Sequence, residues 1–240
     1  MEELFSRFAM LTGEEGIERL SASHVAVFGL GGVGGSAAEA LARAGVGTLT
    51  LVDADTVAPS NRNRQAISFS DTDGMEKTAA AASLLHRINP GITVYERPVF
   101  FDASTRDAFD FSAFDFVLDC IDTVTSKLLL IECCRAVSVP IACSMGTGNK
   151  LDPSRLRLTD LEKTSVCPLA RVMRLECRKR GIRHLPVVWS DEPPLTPVAA
   201  ASDPAPAGKR IPGSAPFVPP AAGLLLASAA VRSIVFGETF

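Results

Sequence analysis

The sequence predicts a doubly wound α/β fold with a mainly parallel sheet. Two observations carry this. Short apolar, β-rich runs alternate with Ala- and Leu-rich helical patterns over roughly the first 150 residues, as expected when helices cover both faces of a parallel sheet. The first of these runs also enters a glycine turn that opens a helix, in "HVAVFGLGGVGGSAAEALARAGVGTLTLVDAD", residues 24–55. A chain of 240 residues, 47% hydrophobic and with formal charge −3, can bury one substantial core. A single domain with elaborations, spanning 1–240, is the economical reading.

Residues 1–23 read as an N-terminal helical arm and 24–150 as a nucleotide-binding core. Within that core, strands are expected in "HVAVFGL", "TLTLVDA", "ITVYERPV", "FDFVLDCI" and "VPIACSM". Helices are expected in "GGSAAEALARAG", "MEKTAAAASLLHRIN" and "TSKLLLIECCRAVS", closed by Gly, by Asn-Pro or by a β-branched run. Residues 151–190 form a basic segment with a helix after Pro168. From 191 to 220 the composition turns to Pro, Ala, Ser and Gly, which predicts a flexible surface loop. Residues 221–240 read as a C-terminal helix returning to the core, with Pro219 and Pro220 at its start.

No charged stretch precedes an apolar run at the start, and "AAGLLLASAAV" stops at Arg232, short of a membrane span. A soluble, cytoplasmic protein is expected. Its six cysteines contain no CxxC pair, which predicts free thiols in a reducing compartment and no structural zinc. His24, His86 and His184 do not cluster with acids or cysteines. Cys120, Cys133, Cys134 and Cys143 read as packing residues. Cys167 and Cys177 lie near the basic helix, where positive charge favours thiolate, so a redox or sulfur-transfer role stays open.

Gly29, Gly31 and Gly34 satisfy GxGxxG between a strand and a helix, where backbone N–H groups and the helix dipole favour phosphate. Asp53, at the end of the second strand, stands where a ribose hydroxyl is held. To this point NAD and ATP are both open. The decision comes from "TVAPSNRNRQ", Lys77 and "DCID". A hydride-transfer domain has no use for Asn61, Arg62, Arg64 and Lys77 clustered beyond its second strand, whereas a triphosphate does. Arg and Lys neutralise phosphate oxygens and the developing pyrophosphate, and an aspartate at a strand's carboxyl end can hold the Mg2+ that bridges them.

Together "GLGGVG", "VDAD", "SNRNRQ", Lys77 and "DCID" resemble the ATP-dependent adenylating superfamily of ubiquitin-activating enzymes and of molybdopterin-synthase and thiamine-carrier adenylyltransferases. The resemblance implies that Gly32 lines the nucleotide turn, that Asp53, with Asp55 beside it, lies at the ribose, and that Asn61 and Arg64 contact phosphates. It places Lys77 on the α- and β-phosphates and Asp122 on Mg2+. Arg7 looks like the arginine finger that reaches a neighbouring subunit's ATP, which implies a homodimer.

Members that activate a carrier protein usually bear two CxxC pairs, absent here. Instead "GTGNKLDPSRLRLTDLEKTSVCPLARVMRLECRKRGI" resembles a segment of the tRNA threonylcarbamoyladenosine dehydratases, and the likeness continues through "VVWSDEPP" and "GKRIPGSAPFVPPAAGLLLASAAV". Cys167, where that pattern has Asp, and a Pro-Ala-rich insert at about 193–207 are departures. The implied chemistry is ATP-dependent adenylation of the threonyl carboxylate in the tRNA anticodon loop. The substrate's ureido group then closes a ring, with loss of water and release of AMP. The alternatives are activation of a ubiquitin-like sulfur carrier and, below it, an NAD dehydrogenase or a non-catalytic nucleotide-binding module. The sequence leaves open whether a sulfur-relay partner assists and whether a monovalent cation orders a loop.

Charge distribution is an independent guide. Residues 150–183 hold ten Lys or Arg against four Asp or Glu, a local +6 in a chain of net −3. Arg171, Arg174 and Arg178 recur at helical spacing and Lys179, Arg180 and Arg183 extend the run, giving a candidate face for a tRNA backbone. With one Trp and one Tyr in the chain, phosphate and shape recognition are expected over base stacking.

Overall fold

A computed structural model of the chain describes residues 3–198 and 212–240. Seven strands form one sheet: β1 (His24–Phe28), β2 (Thr48–Val52), β3 (Thr93–Arg97), β4 (Phe116–Asp119), β5 (Ile141–Ser144), β6 (Leu156–Asp160) and β7 (Pro186–Ser190). Their order is β3-β2-β1-β4-β5-β7-β6, parallel throughout except for β6, which runs antiparallel to β7. The central strands β1, β2 and β4 are buried along nearly their whole length because helices cover both of their faces. Edge strand β3 is mostly exposed, and Tyr95, Glu96 and Arg97 keep it polar.

The helices are α1 (Ser6–Ala22), α2 (Gly34–Ala44), α3 (Lys77–Ile88), α4 (Val124–Ala136), α5 (Pro168–Lys179) and α6 (Val218–Phe236). One core, built with α2, α3 and α6, gathers Val25, Val27, Leu41, Leu49, Leu51 and Leu226. The other lies under α4 and α5 and includes Phe28, Phe101, Phe109, Phe111 and Phe114 in tilted and edge-to-face contacts. The chain leaves β1 toward β2 and β3, then crosses back to β4 on the other side. That reversal opens a crevice beyond the carboxyl ends of β1 and β4, the topological switch point of such sheets.

Strands β6 and β7 come from the segment that composition marked only as basic. "LRLTD" and "PVVWS" complete the sheet, and Trp189 Nε1 donates to Thr159 Oγ1 across the pair at 2.9 Å. The proline-rich region also departs from a uniformly loose loop at its described flanks. Glu192 is buried, and its carboxylate accepts from Leu151 N at 2.9 Å and Asp152 N at 3.0 Å. Leu195 N donates to Asn149 O, and Gly213 N to Asn149 Oδ1. Residues 199–211 of that expected loop lie outside the described residues.

Helix α6 begins at Val218, with Pro219 and Pro220 in its first turn, and runs 19 residues. By length and apolarity alone it could cross a membrane, which "AAGLLLASAAV" read by itself does not convey. It packs instead on α2 and the sheet, with Ala222, Leu226, Ala229 and Ala230 fully buried. A Cβ at Gly223 would stand 2.2 Å from Val33 O, so this glycine sets how closely α6 backs the turn that follows β1.

Candidate functional site

The turn between β1 and α2 is built by glycines with separate tasks. Gly29 has φ +89, and a side chain there would meet Cys120 O at 2.8 Å. A Cβ on Gly34 would overlap Gly29 O at 1.7 Å, so only glycine lets α2 start this close to the strand. Beside Gly32 stand Pro219 of α6 and the Arg64 backbone, 2.9 and 3.0 Å from an added Cβ. Gly31 has nothing within 4 Å on its Cβ side and faces open space.

That space is a cavity of about 460 Å³ lined by Gly29, Gly31, Gly32, Asp53, Asp55, Asn61, Arg64, Lys77 and Asp122. The crevice therefore brings together the turn after β1, the connection from β2 to the first residue of α3, and the loop after β4. Asp53 Oδ2 accepts from Leu30 N at 2.6 Å and Oδ1 from Asp55 N at 2.8 Å, which fixes the carboxylate under the turn. Lys77, only 5% exposed at the start of α3, places its ammonium 2.7 Å from Asp55 Oδ2 and 3.6 Å from Asp53 Oδ1. Asn61 Oδ1 accepts from Ala58 N at 3.1 Å, leaving its Nδ2 as a donor. Arg64 is half-buried and donates to Ser60 O and Asn63 Oδ1, and burial pulls its guanidinium below the usual arginine range. Arg62, by contrast, is paired with Asp73 on the surface.

A second cavity of about 540 Å³ adjoins the first. Gly32, Val33, Arg64, Cys120, Ile121 and Asp122 line both. Asp122 is exposed at this junction, its Oδ1 accepting from Thr123 Oγ1 at 3.3 Å. Beneath the junction, Lys127 of α4 is wholly buried. Its Nζ lies 2.9 Å from each of Asp119 Oδ2, Ile121 O and Ser144 O, tying together the ends of β4 and β5.

Sequence reasoning missed several parts of this site. Val99, Phe100 and Phe101, just after β3, give the first cavity an apolar wall, and Phe100 is half exposed there. The signal available was topological, since "ITVYERPV" ends at the same edge of the sheet as the glycine turn. Gln65 is buried, lines the same cavity and leaves Oε1 without a partner among the described residues. It closes the "SNRNRQ" run, whose charged members drew the reading.

The remaining predicted residues lie apart. Arg7 is exposed on α1 and does not line the cavity of its own chain. Near it, Phe8, Leu11, Leu224, Val231 and Phe236 line an apolar groove between α1 and α6. The basic run around α5 is not one uniform face. Arg174 is half-buried and bonded to Thr164, while Lys179 and Arg180 are paired with Glu176, and Arg180 also with Glu132. Arg171, Arg178 and Arg183 are exposed and form no ion pair among the described residues.

The cysteines are free thiols among the described residues. Burial pushes Cys177 upward despite Arg180 and Arg135, which corrects the expectation that the basic helix favours its thiolate. Burial and the adjacent Asp119 likewise raise Cys120. No group of three or more His, Cys, Asp or Glu among the described residues is placed to hold a metal ion by itself.

Known proteins resemble this chain over nearly all of its length. A tRNA threonylcarbamoyladenosine dehydratase of Bacillus subtilis is 38% identical over 239 residues, covering 96% of this chain and 94% of that protein. The crystal structure of Escherichia coli tRNA N6-threonylcarbamoyladenosine dehydratase in complex with AMP superposes with a TM-score of 0.88 at 31% identity, over 97% of this chain and 94% of that one. The same enzyme in complex with ATP gives 0.87 at 31% identity, over 97% and 93%. Residues 5–235 match the model of the ThiF family, and the chain belongs to that family.

Proposed function

We propose that the chain is an ATP-dependent tRNA threonylcarbamoyladenosine dehydratase. The observation that carries this is the pair of adjoining cavities, joined at Gly32, Arg64 and Asp122, set beside relatives of that activity that match almost end to end. A carboxylate is a poor electrophile because its oxygen is a poor leaving group. Transfer of AMP onto it makes an acyl adenylate, and the ureido group of the same substrate then attacks the carbonyl and expels AMP. Both reacting groups belong to one molecule, so orientation is the main catalytic gain. Ring closure needs no enzyme nucleophile, and the chemistry itself needs no sulfur-relay partner.

In this reading Gly31 and Gly32 let the phosphates approach the backbone at the start of α2. Asp53 and Asp55 lie at the ribose, and Asn61, Arg64 and Lys77 receive the phosphates. The exposed carboxylate of Asp122 suits Mg2+, which is commonly held by one or two carboxylates together with phosphate oxygens. Asp122 would hold such an ion, which would supply charge neutralisation at the phosphates. Arg171, Arg178 and Arg183 are the cations left over to meet a tRNA backbone. Free thiols and a tRNA substrate both fit the cytoplasm.

Single-turnover incubation with Mg-ATP and tRNA carrying threonylcarbamoyladenosine tests the assignment by nucleoside mass analysis. The expected result is loss of one water from that nucleoside with stoichiometric AMP, abolished in Asp122→Ala. An unchanged nucleoside, with ATP–pyrophosphate exchange appearing only when a small sulfur-carrier protein is added, would move the chain to the carrier-activating reading.

The apolar groove beside Arg7 supports a homodimer in which that arginine completes the neighbour's site. Mixing Arg7→Ala with Lys77→Met subunits should then restore activity. Random exchange makes half the dimers heterodimeric with one intact composite site, or roughly a quarter of wild-type turnover. No recovery from proven heterodimers would place Arg7 outside the site.

A further inference from the structure

We propose that the second cavity is the acyl-acceptor site and that the Lys150 ammonium fixes the substrate's carboxylate within it, an assignment that rests on the dehydratase reading above. Among the described residues, the charged groups lining this cavity are Arg64 and Asp122 at the junction and Lys150 on the loop after β5. Lys150 is 3% exposed, and its Nζ donates to the backbone oxygen of Glu192. The Glu192 carboxylate is occupied elsewhere, by the N–H groups of Leu151 and Asp152. Lys150 forms no ion pair among the described residues.

An ammonium has three donors, and a buried one without a counter-anion carries an uncompensated desolvation cost. Burial lowers the pKa of Lys150, with Arg155 acting the same way, and Cys167, Glu192 and Asp191 offset this only in part. Cys167 lines the same cavity at the head of α5, at the position where the family pattern places an aspartate, so no carboxylate from that helix answers the lysine. Among the described residues no side-chain carboxylate pairs with Lys150, and the proposed substrate brings one. A volume of about 540 Å³ is in the range of small-molecule sites and takes a nucleoside-sized group. Repulsion between a carboxylate and a triphosphate opposes their approach, and the two cations lining this cavity, Arg64 and Lys150, offset it.

Lys150→Gln tests this, because the amide can still donate to Glu192 O while the charge is gone. The expected variant has wild-type melting temperature and ATP affinity, with KM for the modified tRNA raised about tenfold, the loss expected when a charged hydrogen bond becomes neutral. Free threonylcarbamoyladenosine and its methyl ester, used as competitive inhibitors, give a second readout. Wild type should prefer the acid by about tenfold and Lys150→Gln should show almost no preference. An unchanged KM, or an acid-over-ester preference retained in the variant, overturns the assignment, even if stability falls. Wild-type enzyme that fails to dehydrate the modified tRNA overturns the functional reading and this one with it. Dehydration by wild type with unchanged KM in Lys150→Gln overturns only the role of Lys150.

Discussion

Replacing Lys77 with methionine should lower kcat/KM for ATP on the order of a thousandfold while leaving the fold intact. The ammonium is nearly buried between Asp53 and Asp55, with the open face of Gly31 lining the same cavity. Removing one preorganised donor to developing charge costs about a hundred- to a thousandfold. Here two carboxylates would also lose their countercharge and repel the incoming phosphates, which pushes the effect to the upper end. Lys77→Arg should recover little, since a planar fork does not fit the place of a compact point charge. Lys77→Met combined with Asp55→Asn should recover part of the loss by removing one source of repulsion. ATP–pyrophosphate exchange with modified tRNA, beside a thermal melt, measures all three. Exchange within tenfold of wild type in Lys77→Met would show that the lysine only neutralises the two aspartates.

The nucleotide side of this site is legible in the sequence because its requirements are local. A glycine turn must follow a strand, an acid must end the next strand, and "SNRNRQ" must follow it. The acceptor side is not local. Its walls come from the loops after β4 and β5, the head of α5 and the approach to α6, and nothing in "GTGNK" states that Lys150 is buried. Strands β6 and β7 were hidden for a related reason. A half-exposed antiparallel edge strand such as "LRLTD" alternates polar with apolar residues, and its arginines read as part of a basic surface. Helical spacing grouped Arg171, Arg174 and Arg178, but whether Arg174 is free depends on Thr164, which only the fold brings beside it. Lys127 sits in a Leu-rich helical run, where a single lysine ordinarily marks the solvent face; here it is as fully buried as Leu130 and Ile131 on the same helix.

Lys127→Met should destabilise the protein by about 3–5 kcal/mol, the usual result of removing one partner from a buried ion pair. The ammonium meets Asp119 with both side chains fully buried, and it also holds Ile121 O and Ser144 O at 2.9 Å. Methionine fills much of the volume but leaves a buried carboxylate and two carbonyls without their donor. Lys127→Met with Asp119→Leu should regain much of the loss, because the uncompensated charge goes with its partner. Burial is the largest single influence and acts to lower the Lys127 pKa, but Asp119 together with Cys143 and Cys120 turns the net shift upward. A group raised in the folded state contributes stability that is complete below its unfolded value, near 10.5, and is lost as pH climbs through the folded one. Wild type should therefore lose stability above about pH 10.5, and the double variant should lack that component. Urea unfolding at neutral and alkaline pH measures both effects. A Lys127→Met loss under about 1 kcal/mol would mean that the carbonyls find other donors and that the clamp does not set the junction where Asp122 stands.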